Sequence, residues 1–240
     1  MSGGVECMIN GDSFLLTPEF ASAEPLGSRW EPRVYRRFTE ALRPGMTVLD
    51  VGASFGLYSI AAARVVGSSG CVYAFEPGRR TALALRRHLD WNRVADRVEV
   101  IEAAAADCTG VAIFWQQETS FVASLVEAAA RKEERRFQAP IEPRLVKTFA
   151  LDDFCNEREL DPDIIKVDVE GSEASVLRGA RRLLRRGRAL LFLELHPEFA
   201  PREGGDAGVI EELAAAGWEW EELSAEKSTR HYAGWATRRL

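Results

Sequence analysis

No stretch of this 240-residue chain approaches the ~20 consecutive apolar residues that a membrane-crossing helix needs. The N-terminus, MSGGVECMINGDSFLL, has neither the basic start nor the apolar run of a secretion signal. Paired cysteines are missing too. Cys7, Cys71, Cys108 and Cys155 are scattered with no C-x-x-C spacing, which argues against a disulfide framework or a cysteine zinc site. There is no excess of positive charge: the net charge of −6 argues against a broad phosphate-binding face, so neither nucleic acid nor a membrane is expected as partner. Repeats and low-complexity linkers are absent as well. The expectation is a cytoplasmic globular protein with reduced thiols, its oligomeric state left open. Hydrophobic residues at 46% and charged residues at 28% fit that class, and the length suits one large domain with a sizeable core.

Residues 1–44 read as an N-terminal segment, mostly loop, with a short strand at 13–17 and a closing helix. In that helix Pro32 suits the first turn, Val34, Phe38 and Leu42 share one face, and Pro44-Gly45 stops it. Residues 45–240 read as the main domain. Strands are expected at 46–52, 71–77, 97–103, 111–115, 164–169 and 189–195, with helices at 57–67, 79–92, 172–187 and 206–217, the last capped by Asp206. Residues 218–223 and 231–239 alternate like a terminal antiparallel hairpin. The stretch 115–150 looks least regular and is expected to be a substrate loop, with Trp115 and Phe121 as pocket-lining candidates, joined by the region around Trp30–Tyr35. His88 reads as an exposed helix residue and His231 as a strand residue, neither of them catalytic. Alternating strands and helices imply an α/β fold, with a mostly parallel sheet covered on both faces and ligands at the carboxyl ends of its strands.

The first of those ends is VLDVGASFGLYS, a strand, a glycine turn and a helix. A dinucleotide turn needs G-x-G-x-x-G, and position 54 is serine, not glycine. Gly52-Ala53-Ser54-Phe55-Gly56 also satisfies G-x-S-x-G, the nucleophile elbow of hydrolases, with Asp168 and His196 following in the right chain order. Against that reading, no parallel strand precedes it and no oxyanion segment exists. A third reading uses Asp50, two residues before Gly52, and Glu76, which ends the next strand where an acid can accept ribose hydroxyls. Those features suit a cationic nucleoside bearing an amino-acid tail, S-adenosylmethionine. A turn that serves only to pack the helix remains the plain alternative.

Placed on these segments, the sequence resembles the FkbM-type methyltransferases, a branch of the Rossmann-like class I S-adenosylmethionine-dependent enzymes. The carrying stretches are VLDVGASFGLYS, VYAFEP, VEVIEAAAAD, LDDFC, PDIIKVDVEGSEASVLRGA and LLFLELHP, with KVDVEGSE the most specific. The resemblance implies three α/β/α layers around a mainly parallel seven-stranded sheet whose C-terminal strand is antiparallel. It also implies that Asp50, Gly52, Ala53 and Gly56 hold the methionine part of the cofactor with Tyr58 nearby, and that Ser54 can hydrogen-bond the cofactor from the same turn. Glu76 would take the ribose, and Ala103 and Ala104 would border the adenine. The family usually carries asparagine where this chain has Ser54, a residue with fewer hydrogen-bonding groups. The implied activity is methylation of a hydroxyl or carboxyl oxygen on a small molecule such as a natural product or sugar. Alternatives are a nitrogen or macromolecular acceptor, or a cofactor-binding protein without turnover.

An alcohol acceptor needs a base as the carbon–oxygen bond forms. The strand ends offer Asp168 and Glu170 from IIKVDVEG, and Glu194 and His196 from LFLELHP. His196 is a reasonable base by its chemistry, or a hydrogen-bonded strand cap. Glu194 is expected to need a partner, Lys166 or a backbone amide. Two acids and a histidine there could also hold a divalent metal, although no residue is assigned to one.

Overall fold

The computed structural model describes residues 3–22, 29–117, 123–137, 140–196, 213–214, 217–226 and 229–237. A hairpin of β1 (Val5–Ile9) and β2 (Asp12–Leu16) leads the chain, followed by α1 (Pro18–Ala21) and α2 (Pro32–Ala41). Strands and helices then alternate through β3 (Thr47–Val51), α3 (Leu57–Val66), β4 (Cys71–Phe75), α4 (Arg79–Trp91) and β5 (Val98–Ile101). A second group comprises β6 (Ala104–Ala105), β7 (Gly110–Gln117), β8 (Ala123–Ser124), α5 (Glu127–Phe137) and β9 (Ile141–Phe149). The chain returns through α6 (Leu151–Glu157), β10 (Ile164–Val167), α7 (Glu173–Arg178), α8 (Arg181–Arg186) and β11 (Leu190–Leu195). It closes on β12 (Trp218–Glu226) and β13 (Thr229–Ala236).

The main sheet has seven strands in the order β12-β13-β11-β10-β3-β4-β5. From β11 to β5 all neighbours are parallel, whereas β13 runs antiparallel to both of its neighbours. This is the mainly parallel seven-stranded sheet with an antiparallel C-terminal strand that the sequence suggested. Period-two alternation divides the core between its faces. Val48, Val72, Ile164 and Phe192 pack with α2, α3 and α4 on one side; Leu49, Val51, Ile165, Val167 and Leu191 pack with α6, α7 and α8 on the other. Asp50 and Lys166, register partners across β3 and β10, therefore fall on the α3 face with Val48 and Ile164.

Several expectations needed correction. Residues 116–150 are more regular than expected, because β7 and β9 pair antiparallel from Gly110↔Thr148 to Gln117↔Ile141. Pro143 sits where β9 has β7 on one side and, among the described residues, no strand on the other, a position proline tolerates. The expected helix 172–187 is two helices. The Gly179 carbonyl accepts the Asp152 amide at 2.8 Å, and the Asp152 carboxylate caps α8 by accepting the amides of Arg182 and Leu183 at 2.8 and 2.9 Å. The loop expected at residues 1–12 contains β1, which is exposed along most of its length and buries only Ile9 fully. His88, expected on the surface, is fully buried: its Nε2 accepts the Thr17 amide at 2.9 Å and its Nδ1 faces the Phe55 carbonyl at 2.8 Å. It thus ties the N-terminal segment to the glycine turn. Residues 206–212 and 215–216 of the expected last helix, including Asp206, lie outside the described residues, as does Phe121; residues 213 and 214 are helical.

Gly52 fixes how β3 meets β10. Its φ is +84°, and a Cβ there would lie 1.8 Å from the Asp168 carbonyl oxygen. Its close approach is thus to the protein's own backbone. Gly52→Ala is expected to cost about 2–3 kcal/mol from strain and overlap together, read as a lower urea midpoint at unchanged m-value; a midpoint equal to the parent's would refute this reading of the contact.

Candidate active site

The mouths of β3 and β4 bring two buried carboxylates together. Asp50 is 1% exposed; its Oδ2 accepts the Ser59 hydroxyl at 2.5 Å, and its Oδ1 has no hydrogen-bond partner among the described residues. Burial pushes its carboxyl up, while the Lys166 charge pulls it back. The turn that follows passes through positive φ at Gly52, Ser54 and Gly56. Its amides at 52 and 53 are anchored on the Phe75 carbonyl at 3.1 and 2.9 Å. Glu76 accepts the Ser54 amide at 3.0 Å on one oxygen and the Gly78 amide at 2.7 Å on the other. Burial outweighs those two donors and pushes its carboxyl up to about 7. Ala53 is buried within this turn, and Ala103 and Ala104 are buried just beyond β5.

The mouths of β10 and β11 carry a longer charged row. Lys166 Nζ lies 3.1 Å from Asp168 Oδ2 and 4.5 Å from the centre of the Tyr58 ring. Burial opposes its charge, but Asp168, Asp50, Glu31 and Glu194 outweigh that and raise its pKa. Burial likewise raises Asp168, and Lys166 and His196 bring it below the usual carboxylate range. The Tyr58 hydroxyl donates to Glu31 at 2.6 Å. His196 Nδ1 is 2.9 Å from Glu173 Oε1, which also accepts the Gly171 amide. His196 Nε2 lies 3.4 Å from Glu194 and 3.5 Å from Glu170. Desolvation acts against the imidazolium, yet Glu173, Glu194 and Glu170 prevail and push it up to about 12. His231 Nε2 is 3.1 Å from the other Glu194 oxygen and 3.8 Å from Glu31, and its Nδ1 is 2.8 Å from the Ser224 hydroxyl. It is raised to about 10, burial being outweighed by Glu194 and Glu31. Glu170 has positive φ, a side chain 36% exposed, and a carboxyl raised to about 8 by burial despite the nearby His196. The Ser124 hydroxyl of β8 donates to the Glu170 carbonyl at 2.7 Å.

All four acceptor-side candidates therefore lie in one row, and the cofactor-side candidates line the neighbouring strand mouths. Glu194 is partnered by His196 and His231 rather than by Lys166 alone or a backbone amide. Tyr58 is committed through its hydroxyl to Glu31. The sequence reading did not single out Glu31, Glu173 or Ser124, and it set His231 aside. Glu173 was within reach as the last residue of KVDVEGSE; nothing local marked the others, which meet the row only through tertiary folding. Among the described residues, two sets of ligand-type atoms lie close enough to share a metal ion, Glu31–Glu194–His231 and Asp168–Glu194–His196, each within 4.8 Å.

Comparison with known proteins places this arrangement. The family profile for the methyltransferase FkbM domain matches residues 50–220. The 31-O-demethyl-FK506 methyltransferase FkbM of Streptomyces tacrolimicus is 33% identical over 169 residues, 61% of this chain and 64% of that protein. The 2-O-methyltransferase NoeI of Sinorhizobium fredii is 27% identical over 168 residues, 65% of this chain and 66% of that protein. The matched regions span just under two thirds of both relatives. Among solved structures, a methyltransferase FkbM from Methylobacillus flagellatus aligns with TM-score 0.53 at 17% identity, covering 83% of this chain and 50% of that one. An O-methyltransferase from Bacillus cereus in complex with SAH aligns with TM-score 0.53 at 16% identity, covering 85% and 79%. At these identities the structures show the fold, which is the Rossmann-like class I methyltransferase architecture.

Glu76 makes a pH signature. Its folded pKa, about 7, lies above the ordinary value of 4.5, so the folded protein binds the extra proton. Its contribution to stability is therefore fully present below about pH 4.5 and is lost as pH rises through about 7. Glu76→Gln is expected to gain stability relative to the parent as pH rises from 5 to 8, followed by urea unfolding at each pH; a constant difference would show that the carboxyl titrates normally.

Proposed function

The chain belongs to the FkbM methyltransferase family, and on that premise we propose that it transfers a methyl group from S-adenosylmethionine to an oxygen of a small molecule. The observation that carries the reading is the Asp50–Glu76 pair at adjacent parallel strand mouths. One acid has a buried oxygen with no hydrogen-bond donor among the described residues, and the other keeps lone pairs beyond its two amide contacts. A cationic ligand with vicinal hydroxyls answers both needs. In this reading Asp50, Gly52, Ala53, Ser54 and Gly56 hold the methionine part, with Tyr58 behind them. Glu76 accepts the ribose hydroxyls, and Ala103 and Ala104 flank the adenine. The preference for oxygen draws on the 31-O and 2-O methyltransferases among the relatives.

The cofactor supplies an electrophilic methyl group on a sulfonium; the protein is left with positioning and with one proton. His196, proposed from its chemistry as a base, is held as imidazolium between acids and has no free lone pair to receive that proton. Glu170 is better suited. It is the most exposed acid of its row, and its carboxyl, raised to about 8, can take the acceptor's proton once ionised. We therefore assign Glu170 as the base and His196 and Glu194 as positioning residues, with Asp168 held by Lys166 toward the acceptor.

Glu76→Ala is expected to weaken S-adenosylmethionine binding about tenfold or more in calorimetry, a loss of about 1.4 kcal/mol. Glu170→Gln should leave that binding unchanged while lowering S-adenosylhomocysteine release with alcohol-bearing acceptors by roughly 10²–10⁴. In the parent, turnover should rise with pH through about 8, because the base acts when deprotonated. Tight NAD binding without S-adenosylmethionine binding would remove the assignment.

A further inference from the structure

The charged row contains a second arrangement, which shares only Glu194 with the residues assigned to the acceptor side of methyl transfer. Glu31 stands at the start of α2, Glu194 near the end of β11 and His231 on β13, and their ligand-type atoms lie within 4.8 Å of one another. His231 is 5% exposed, and its Nε2 faces both carboxylates without a well-directed hydrogen bond to either. The separations are 3.1 Å to Glu194 and 3.8 Å to Glu31. For donors about 2.1 Å from a metal ion, those separations correspond to angles at the ion of about 95° and 130°. Each ligand is also oriented from behind. The Ser224 hydroxyl fixes His231 at Nδ1, and the Tyr58 hydroxyl holds the far oxygen of Glu31.

We infer that Glu31, Glu194 and His231 form a binding site for a divalent transition-metal cation. Two carboxylates and one imidazole, which gives up its Nε2 proton to solvent as the ion binds, balance the charge of such an ion and belong to the mixed oxygen–nitrogen donor class. The neighbouring trio is less suited. His196 is engaged at Nδ1 by Glu173 and faces two acids at Nε2, and Asp168 is already paired with Lys166. An ion at the proposed site would join the N-terminal helix, the centre of the sheet and the terminal hairpin at one point. The inference is independent of the methyl-transfer reading.

Mn²⁺ is the probe. Titration of the full chain, followed by loss of the free-ion electron paramagnetic resonance signal, is expected to show saturable binding of a single ion. Glu31→Gln and His231→Gln should each weaken binding at least tenfold, whereas Asp168→Asn should leave it unchanged. Circular dichroism checks that each variant is folded, and Glu31→Gln carries the test if His231→Gln does not fold. The inference is overturned if the parent binds no Mn²⁺ at millimolar concentration. It is equally overturned if Asp168→Asn abolishes binding while Glu31→Gln leaves it intact.

Discussion

A buried ammonium organises this molecule. Lys166 has a side chain 6% exposed, set in the middle of the sheet. An isolated charge in such a place would be costly, and so would the carboxylates around it. Together they are mutually tolerable: Asp168 at 3.1 Å, Asp50 across the register of β3, and the Tyr58 ring beneath. The strands are held parallel by ordinary apolar packing of Val48, Ile164 and Phe192. What that packing leaves open at the carboxyl ends is filled by charges that can persist there only as a group. Remove the lysine and the acids at the mouths of β3 and β10 lose the cation that lets them stay ionised side by side.

The fold was legible where one period dominated. Short β-rich runs such as VLDVG, VYAFEP, IIKVDV and the strongly apolar ALLFLEL marked the central strands, and the apolar stripes of α2 and α4 marked helices that cover one face. It failed where a tertiary contact overruled the local pattern. Val176, Leu177, Ala180, Leu183 and Leu184 suggested one helix, and Asp152, some thirty residues upstream, cuts it in two. The strand β9 went unread because its partner β7 lies some thirty residues upstream, and Pro143 is tolerated in it at a place with only that one neighbour. His88 looked like one more polar residue on an amphipathic helix until Thr17 and Phe55 closed over it.

The same division holds for the site. Asp50, Gly52, Glu76, Asp168 and Glu170 were legible because short motifs sit at predictable strand ends. Glu31 and His231 were not, since they belong to segments remote from those motifs and reach the row only when α2 and β13 dock. Ser54 gained an explanation from the structure: its φ is +50°, a region where asparagine is favoured, which accounts for the asparagine usual in the family at that place. Glu170, at φ +55°, and Glu31, at φ +40°, share that uncommon conformation. Such conformations gather where a side chain must be aimed rather than merely accommodated.

The hydroxyl of Ser124 links two parts of the molecule. It lies on β8, in the four-stranded sheet between β5 and α6, and it grips the carbonyl of Glu170 while also accepting the amide of Val126. The edge of that sheet is thereby stitched to the backbone of a strand-end acid. A displacement of β8 would carry the Glu170 carbonyl with it, so the small sheet acts as a lever on the mouth of the large one.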